Sequence, residues 1–478
     1  MRLPKANRMQ DRVNIGLHWL TKKLEFKEVE IFMSKILSKF KLASTAVLIS
    51  SIAGASSSLA ANYYQVIDLG TLEGTVSEGF SVNDDNNVVG VSNGEDFNSH
   101  AFIYRDATQE IIDLGHLEYE RVVTDSDGNV TAVLESGRSS ALDINNSGIA
   151  VGSSTQFVEV GEDSDGNPIS VEVNYGVYFD TDTLTLTLIP QVDTESPTDT
   201  LAVAINQNQL ITGTTKYDPP NDSDSSGNPV STTYERGFFY DIGTQEFTLV
   251  QALDPDAEGQ FVVMRDLNDN GVGVGISTRV ENERNIARII IVDVDAPDSP
   301  EELDVFGGFA SYPWAINNSG IVVGKATLDN SSTEQAFMYD SETKVVTELG
   351  YLNDSFKASE AIDINETNQI VGRSRFQNSP AIYHAFLYED GVMKDLNKLI
   401  DCDSGWILNE ARAINDATEG AVITGTGVVN GEKHAFMLKP LEGTAPSCEV
   451  EEEKSGSGSL PFISLVGLLL LGFRRARV

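Results

Sequence analysis

The 478-residue sequence predicts an all-β fold: a seven-bladed β-propeller of four-stranded meander blades, closed by an N-terminal strand that completes the last blade. Three observations carry this prediction. A nine-residue core recurs seven times, each copy is followed by further strand-like signals, and the array begins with the strand that its last unit lacks.

The core has the form hydrophobic-Asn-x-x-(Gly or Asn)-x-hydrophobic-hydrophobic-Gly. It reads VNDDNNVVG at 82–90, INNSGIAVG at 144–152, INQNQLITG at 205–213, LNDNGVGVG at 267–275, INNSGIVVG at 316–324 and INETNQIVG at 364–372. A seventh copy, INDATEGAVITG at 414–425, carries three extra residues. The lead asparagines are Asn83, Asn145, Asn206, Asn268, Asn317, Asn365 and Asn415, spaced by 62, 61, 62, 49, 48 and 50 residues. A unit of about 49 residues, with roughly a dozen inserted in three early copies, accounts for the spacing. Asn and Gly tolerate positive φ, so the Asn-x-x-Gly element is a turn-former between strand A, which ends at the Asn, and strand B, which carries the Val-Val-Gly.

Strand C follows as HAFIY (100–104), GVYF (176–179), GFFY (237–240), QAFMY (335–339), HAFLY (384–388) and HAFML (434–438), with ARIIIV at 287–292 as a degenerate fourth copy. Strand D follows as IIDLG (111–115), LDVFGG (303–308), VTELG (346–350) and MKDLN (393–397). Apolar residues alternate or run in fours, and no stretch of the body holds a 3.6-residue period. The seventh unit stops after HAFML, and YYQVIDLGTL at 63–72 is a strand D with no unit before it. Joining the two closes a ring and hides the sheet edges. An open β-solenoid is the competing architecture; it needs capping units, and none is evident.

The chain carries 72 acidic and 33 basic residues, a formal net charge of −39, and two cysteines. Its 61–455 body holds 68 acidic and 20 basic residues. Such acidity excludes nucleic acid and anionic membrane surfaces as main partners. Two cysteines exclude a disulfide-dense scaffold or a multi-Cys zinc module. Cys402 and Cys448 are expected to form a disulfide in an oxidising compartment.

The ends read as addresses. Residues 1–32 are expected to be a mis-assigned upstream extension, with Met33 the initiator. Residues 33–60 form a signal peptide, with basic Lys35, Lys39 and Lys41, an apolar stretch over 42–54, and Ser58 and Ala60 at the −3 and −1 positions for signal peptidase. The β-domain occupies 61–440. Residues 441–459 form an acidic, then Gly/Ser-rich linker, and 460–478 an apolar run closed by Arg474, Arg475 and Arg477. This tail is the only part expected to meet a membrane, before processing. It resembles the GlyGly-CTERM sorting signal of Gram-negative bacteria, which implies cleavage by a rhombosortase-type protease and a route through type II secretion to the cell surface or the medium. Here Gly456 and Gly458 are interleaved with serines, without a Gly-Gly pair.

With the Asn turn, HAFLY and DLG together, residues 63–440 resemble the HAF-repeat family of extracellular bacterial proteins. The resemblance implies export and a repeat fold; it assigns no reaction and no active-site residues.

No catalytic motif is found: GxSxG, HExxH and P-loop patterns are all absent. GVGVG at 271–275 reads as repeat glycine, since no helix follows. Calcium is the one cofactor with a candidate site. The acidic turns around Asp125 and Asp127, Asp163 and Asp165, and Asp222 and Asp224 alternate carboxylates beside Gly, although Asp-Gly between β-prone flanks reads first as a hairpin tip. His100, His384 and His434 open strand C in three units; adjacent blades lie too far apart for shared zinc ligation, and a repeated strand-edge hydrogen bond is expected. Trp314 and Trp406 read as packing residues ahead of sugar-stacking ones.

In an A–B–C–D meander, the A–B and C–D turns share one face and the B–C and D–A connections the other. The insertions at 118–140, 153–175 and 214–236 fall on the second face, where binding is expected. The functional reading is an exported recognition or scaffold propeller for an unknown extracellular glycan or protein. The alternative is a propeller hydrolase or lyase acting on extracellular polysaccharide, and the inner strands, AIDIN, WAIN and ARAIN, offer little for a channel site.

Overall fold

The structure is a computed structural model that describes residues 63–443 except for 95–97, 125–129, 163–167, 193–197, 218–233, 256, 258, 282–283, 306, 329–332, 418–419 and 442. The signal and sorting segments, with Ser58, Ala60, Gly456, Gly458 and the three terminal arginines, lie outside these residues, as do Cys448 and all six calcium-candidate aspartates. Cys402 is disulfide-bonded.

Seven antiparallel four-stranded sheets form a seven-bladed β-propeller. Blade one shows the plan: strand A Ser77–Val82, B Val88–Asn93, C Ser99–Arg105 and D Glu110–Gly115. Blade seven is completed as expected. Its strand C, Glu432–Leu441, pairs antiparallel with Tyr63–Asp68, from Tyr63 opposite Leu441 to Asp68 opposite Phe436.

Between each pair of neighbouring blades lies one hydrophobic cluster, including the pair formed by blades seven and one. The strand C aromatics Phe102, Phe179, Phe238, Phe337, Phe386 and Phe436 anchor these clusters and are fully buried. Burying one such ring is worth about 1.5–3 kcal/mol. Blade four, whose strand C lacks a Phe, uses Ile289 and Ile290 instead.

Strand A carries a β-bulge in every blade, with one extra residue two places before the residue preceding the Asn. The bulge drives a strand A carbonyl against strand B. A Cβ on the repeat glycines Gly90, Gly152 or Gly372 would lie 1.9–2.0 Å from the carbonyl oxygens of Glu78, Ser140 and Glu360. Only glycine fits there, which explains the last residue of the repeated core. At the A–B turn, φ is positive at Asn86, Gly148, Gly271, Gly320 and Asn368, and also at Gln209, where the repeat departs from Asn or Gly.

The lead asparagines are buried and form a closed ring. The Nδ2 of each donates to the backbone carbonyl of the equivalent Asn in the next blade, from Asn83 to Asn145 and on through Asn206, Asn268, Asn317, Asn365 and Asn415 back to Asn83, at 2.9–3.3 Å. Each Oδ1 accepts a main-chain N–H of its own A–B turn, as Asn206 does from Asn208 and Leu210. A second ring lies one residue on. The N–H groups of Asp84, Asn146, Gln207, Asp269, Asn318, Glu366 and Asp416 each donate to the side chain of the next member at 2.8–2.9 Å, and Asp416 closes onto Asp84.

Two residues before the Asn, blades two, four and six carry Asp143, Asp266 and Asp363. Each clasps the following blade, accepting the N–H of Ile205, Ile316 or Ile414 at 2.8 Å. Their other oxygens accept the N–H of Ile144, Leu267 and Ile364, and Ser81 of blade one donates to Asp143 at 2.7 Å. All three border an axial cavity of about 260 Å³ beneath the asparagine rings. The inner strands, expected from the sequence to offer little at a channel, thus place three carboxyls at this cavity. Burial pushes all three carboxyls above the usual carboxylate range against the effect of the backbone donors. Asp266 is raised well above its ordinary value, with the charges of Asp143 and Asp363 adding to burial, and Asp363 is pushed up to about 7.

Two expectations follow. Deleting residues 63–72 removes strand D of blade seven and bares the edge of strand C; the shortened chain is expected to aggregate in size-exclusion light scattering. A monomer with an unchanged melting temperature would show that closure does not depend on this strand. The three raised carboxyls bind protons more tightly folded than unfolded. The stability they contribute is full below about pH 4 and is lost as pH rises; for Asp363 the loss is complete once pH passes its folded value of about 7. The melting temperature is expected to fall between about pH 4 and pH 7, and Asp363→Asn to flatten that fall. A melting temperature that rises over this window would contradict the assignment.

Candidate functional site

Two of the three inserted segments contain paired strands; residues 218–233 of the third lie outside the described residues. Residues 118–140 contain a separate hairpin, Glu118–Thr124 paired with Val130–Ser136. In blade two, strands B and C extend to Ile149–Glu162 and Pro168–Asp180. The two extensions meet where the rings of Tyr119 and Phe157 lie 5.1 Å apart and Gln156 Nε2 donates to the Glu118 carbonyl. Val133, Leu134, Phe157, Ile169 and Val171 are exposed on them, so these extensions present apolar surface to solvent.

Strand A runs from this insertion face toward the Asn ring, and its first half varies between blades. The bulge residues are Phe80, Leu142, Val203, Arg265, Trp314, Ile362 and Arg412; the residues five before each Asn are Glu78, Ser140, Leu201, Val263, Tyr312, Glu360 and Glu410. A bulge re-aims the side chain it carries. Here it brings charged and aromatic groups of blades four to seven and one into one network.

Glu360, almost fully buried, is its centre. It accepts from Arg373 at 2.7 and 2.9 Å and from Trp314 Nε1 at 2.8 Å, and lies 3.3 Å from Lys325. Arg373 continues to Glu410 at 3.4 Å, Glu410 to Arg412 at 3.4 Å, Arg412 to Glu78 at 3.6 Å, and Glu78 to Lys433 at 2.5 Å. The cations face rings: Arg265 over Trp314 at 5.0 Å, Arg373 over Tyr383 at 5.1 Å and Arg412 over Phe80 at 4.8 Å. Burial raises the Glu360 carboxyl, but Arg373 and Lys325 outweigh it and hold the group below its ordinary value. Burial lowers Arg373, and the charges of Glu410 and Glu360 more than restore it.

Arg265 differs from the others. Among the described residues it makes no hydrogen bond and no ion pair within 4 Å. Burial lowers its guanidinium, opposed only by the more distant charges of Tyr312 and Glu235. It lines a cavity of about 460 Å³ with Leu201, Val263, Lys216, Asp199 and Glu235; there Lys216 is paired to Asp199.

The repeated histidines each make the expected strand-edge bond. His100, His384 and His434 donate from Nδ1 to Asp113, Asp395 and Asp68 of strand D at 2.9–3.0 Å. Blade five replaces the pair by Gln335 and Glu348 at 3.0 Å. Trp406 packs edge-on against Phe436 as expected, whereas Trp314 belongs to the charged network. The signal that sequence reading missed is a departure from the repeat: charges at offsets three and five before the Asn, in strands whose other copies carry aliphatic or small residues.

Residues 171–356 match a family model described as a protein of unknown function, DUF3466. No curated protein matches the chain. Among solved structures, an oligogalacturonate lyase in complex with manganese is 12% identical, covering 79% of this chain and 94% of its own, with a TM-score of 0.47. The β-propeller domain of the Trilobed protease from Pyrococcus furiosus is 9% identical over 81% and 96%, with a TM-score of 0.42. Trypanosoma rangeli sialidase in complex with the inhibitor DANA is 12% identical over 67% and 59%, with a TM-score of 0.35. At these identities and scores the likenesses bear on neither activity nor ligand.

Proposed function

We propose that the protein is an exported recognition propeller that binds an anionic glycan at the insertion-side end of the ring. The observation that carries this reading is Arg265. In a body with 68 acidic and 20 basic residues, a half-buried guanidinium with no carboxylate partner among the described residues is conspicuous, and it lines a cavity of about 460 Å³. A guanidinium recognises carboxylate or sulfate groups through paired N–H donors, and Trp314 beside it offers an aromatic face. Lys216 is the other cation of that cavity, paired there with Asp199.

Glu360 favours binding over hydrolysis. A glycosidase acid is held protonated near its working pH, whereas at this end of the ring Glu360 is held ionised by its two cations; the raised carboxyls Asp143, Asp266 and Asp363 line the axial cavity by the asparagine rings instead. Export is supported by the signal-like segment 33–60 and by a disulfide at Cys402. The tail at 460–478, with its sorting-signal pattern, makes the outer surface or the medium the proposed destination.

Calorimetric titration with an acidic probe, a hexamer of mannuronate and guluronate, and a neutral one, maltohexaose, tests the reading. The acidic hexamer is expected to bind without product release and more weakly at high salt, and Arg265→Ala to weaken it by about tenfold or more. Equal binding of both probes, or an Arg265→Ala variant that binds like the wild type, would contradict it; shortened products would favour the hydrolase or lyase reading.

A further inference from the structure

The strand-edge His–Asp pair recurs in blades one, six and seven, but blade one adds a second histidine. Strand D there ends at Gly115, whose φ of +86° turns the chain so that His116 returns beside His100. The two imidazole rings lie 4.6 Å apart at an angle of 41°. One ligand atom from each of His100, Asp113 and His116 lies within 4.8 Å of the others. We propose that these three residues bind a divalent transition-metal ion of the zinc class.

The chemistry of the donors favours it. Two imidazoles and a carboxylate suit zinc and its late first-row neighbours, whereas calcium and magnesium take oxygen ligands. The separation between His100 Nδ1 and Asp113 Oδ2, 2.9 Å, is what two ligands about 2.1 Å from one ion make at nearly a right angle. Metal binding at His100 Nδ1 therefore takes the place of the hydrogen bond to Asp113, and the neutral imidazole then carries its ring proton on Nε2. The other oxygen of Asp113 accepts the Gly115 N–H at 2.7 Å, which fixes the carboxylate plane. His100 is buried and Asp113 exposed, so the site opens on one side and leaves coordination positions to water or a ligand group.

The other blades act as internal controls. The residue equivalent to His116 is Lys398 in blade six and Thr71 in blade seven. A lysine repels a cation, and neither residue supplies an imidazole. In blade five, Tyr351 occupies the place and donates its hydroxyl to Gln335 at 2.6 Å. The site also sits at the root of the inserted hairpin, which begins at Glu118 and is closed where the Gly137 N–H donates to the Leu117 carbonyl at 2.8 Å. An ion on His116 would tie that root to strand C.

The test uses the full-length protein, stripped with chelator and titrated with Zn²⁺ by calorimetry and with Co²⁺ by visible absorption. One equivalent is expected to bind saturably at micromolar concentrations, with the visible bands of a nitrogen-ligated cobalt ion. His116→Ala and His116→Gln are each expected to weaken binding at least about tenfold, while His384→Ala, which disturbs the equivalent pair in blade six, leaves it unchanged. No saturable binding to the wild type would overturn the proposal. So would His116 variants that bind as tightly as the wild type while keeping its melting temperature.

Discussion

The structure depends on the ring of seven buried asparagines. Each amide does two things at once. Its oxygen holds the A–B turn of its own blade, and its nitrogen reaches the main chain of the next. A buried amide must find partners for both ends. In a ring of seven identical turns, each Asn finds one partner inside its blade and one outside, so blade folding and blade assembly are satisfied together. The second ring of main-chain donors and the three aspartate clasps act along the same axis. The clasps occur in alternate blades, where the accepting neighbour offers Ala204, Ala315 or Ala413 at the aspartate's position.

This division leaves the other end of strand A free to vary. Near the Asn ring the blades are nearly interchangeable; toward the insertion face they are not. The bulge present in every blade is needed for the strand A–strand B fit against the repeat glycine, and it also re-aims one side chain per blade. Where that residue is Arg265, Trp314 or Arg412, the same local geometry that packs the fold delivers the charged network. The insertions at 118–140 and in blade two rise from that face as β-ribbons, consistent with the low cost of long surface insertions.

Much of the fold was legible because a ring-symmetric interaction must recur in sequence. Seven asparagines at nearly even spacing, the Val-Val-Gly after them and the unpaired first strand specify blade number and closure. Other features had visible halves without a visible pairing. Asp143-Ile144-Asn145, Asp266-Leu267-Asn268 and Asp363-Ile364-Asn365 repeat in alternate copies, yet the aspartates look like turn residues until the next blade's N–H is placed against them. The histidines of strand C and the aspartates of strand D were both prominent, but only the register that sets His100 beside Asp113 shows that they meet. The charged network was hidden for another reason. A bulge leaves no mark in spacing, and Arg265, Glu360 and Arg412 come together from three blades by curvature of the ring rather than by any local pattern.

The central claim is that the asparagine ring couples the blades. Denaturant unfolding of Asn206→Ala against Asn146→Ala tests it most directly. Asn206→Ala deletes the bond to the Asn268 carbonyl and strands the buried Leu210 N–H, and is predicted to cost about 2–5 kcal/mol. Asn146→Ala, one residue outside the buried ring and exposed, is predicted to cost under about 1 kcal/mol. Equal and small losses at both positions would contradict the claim and leave the coupling to the interblade hydrophobic clusters, the second ring and the aspartate clasps.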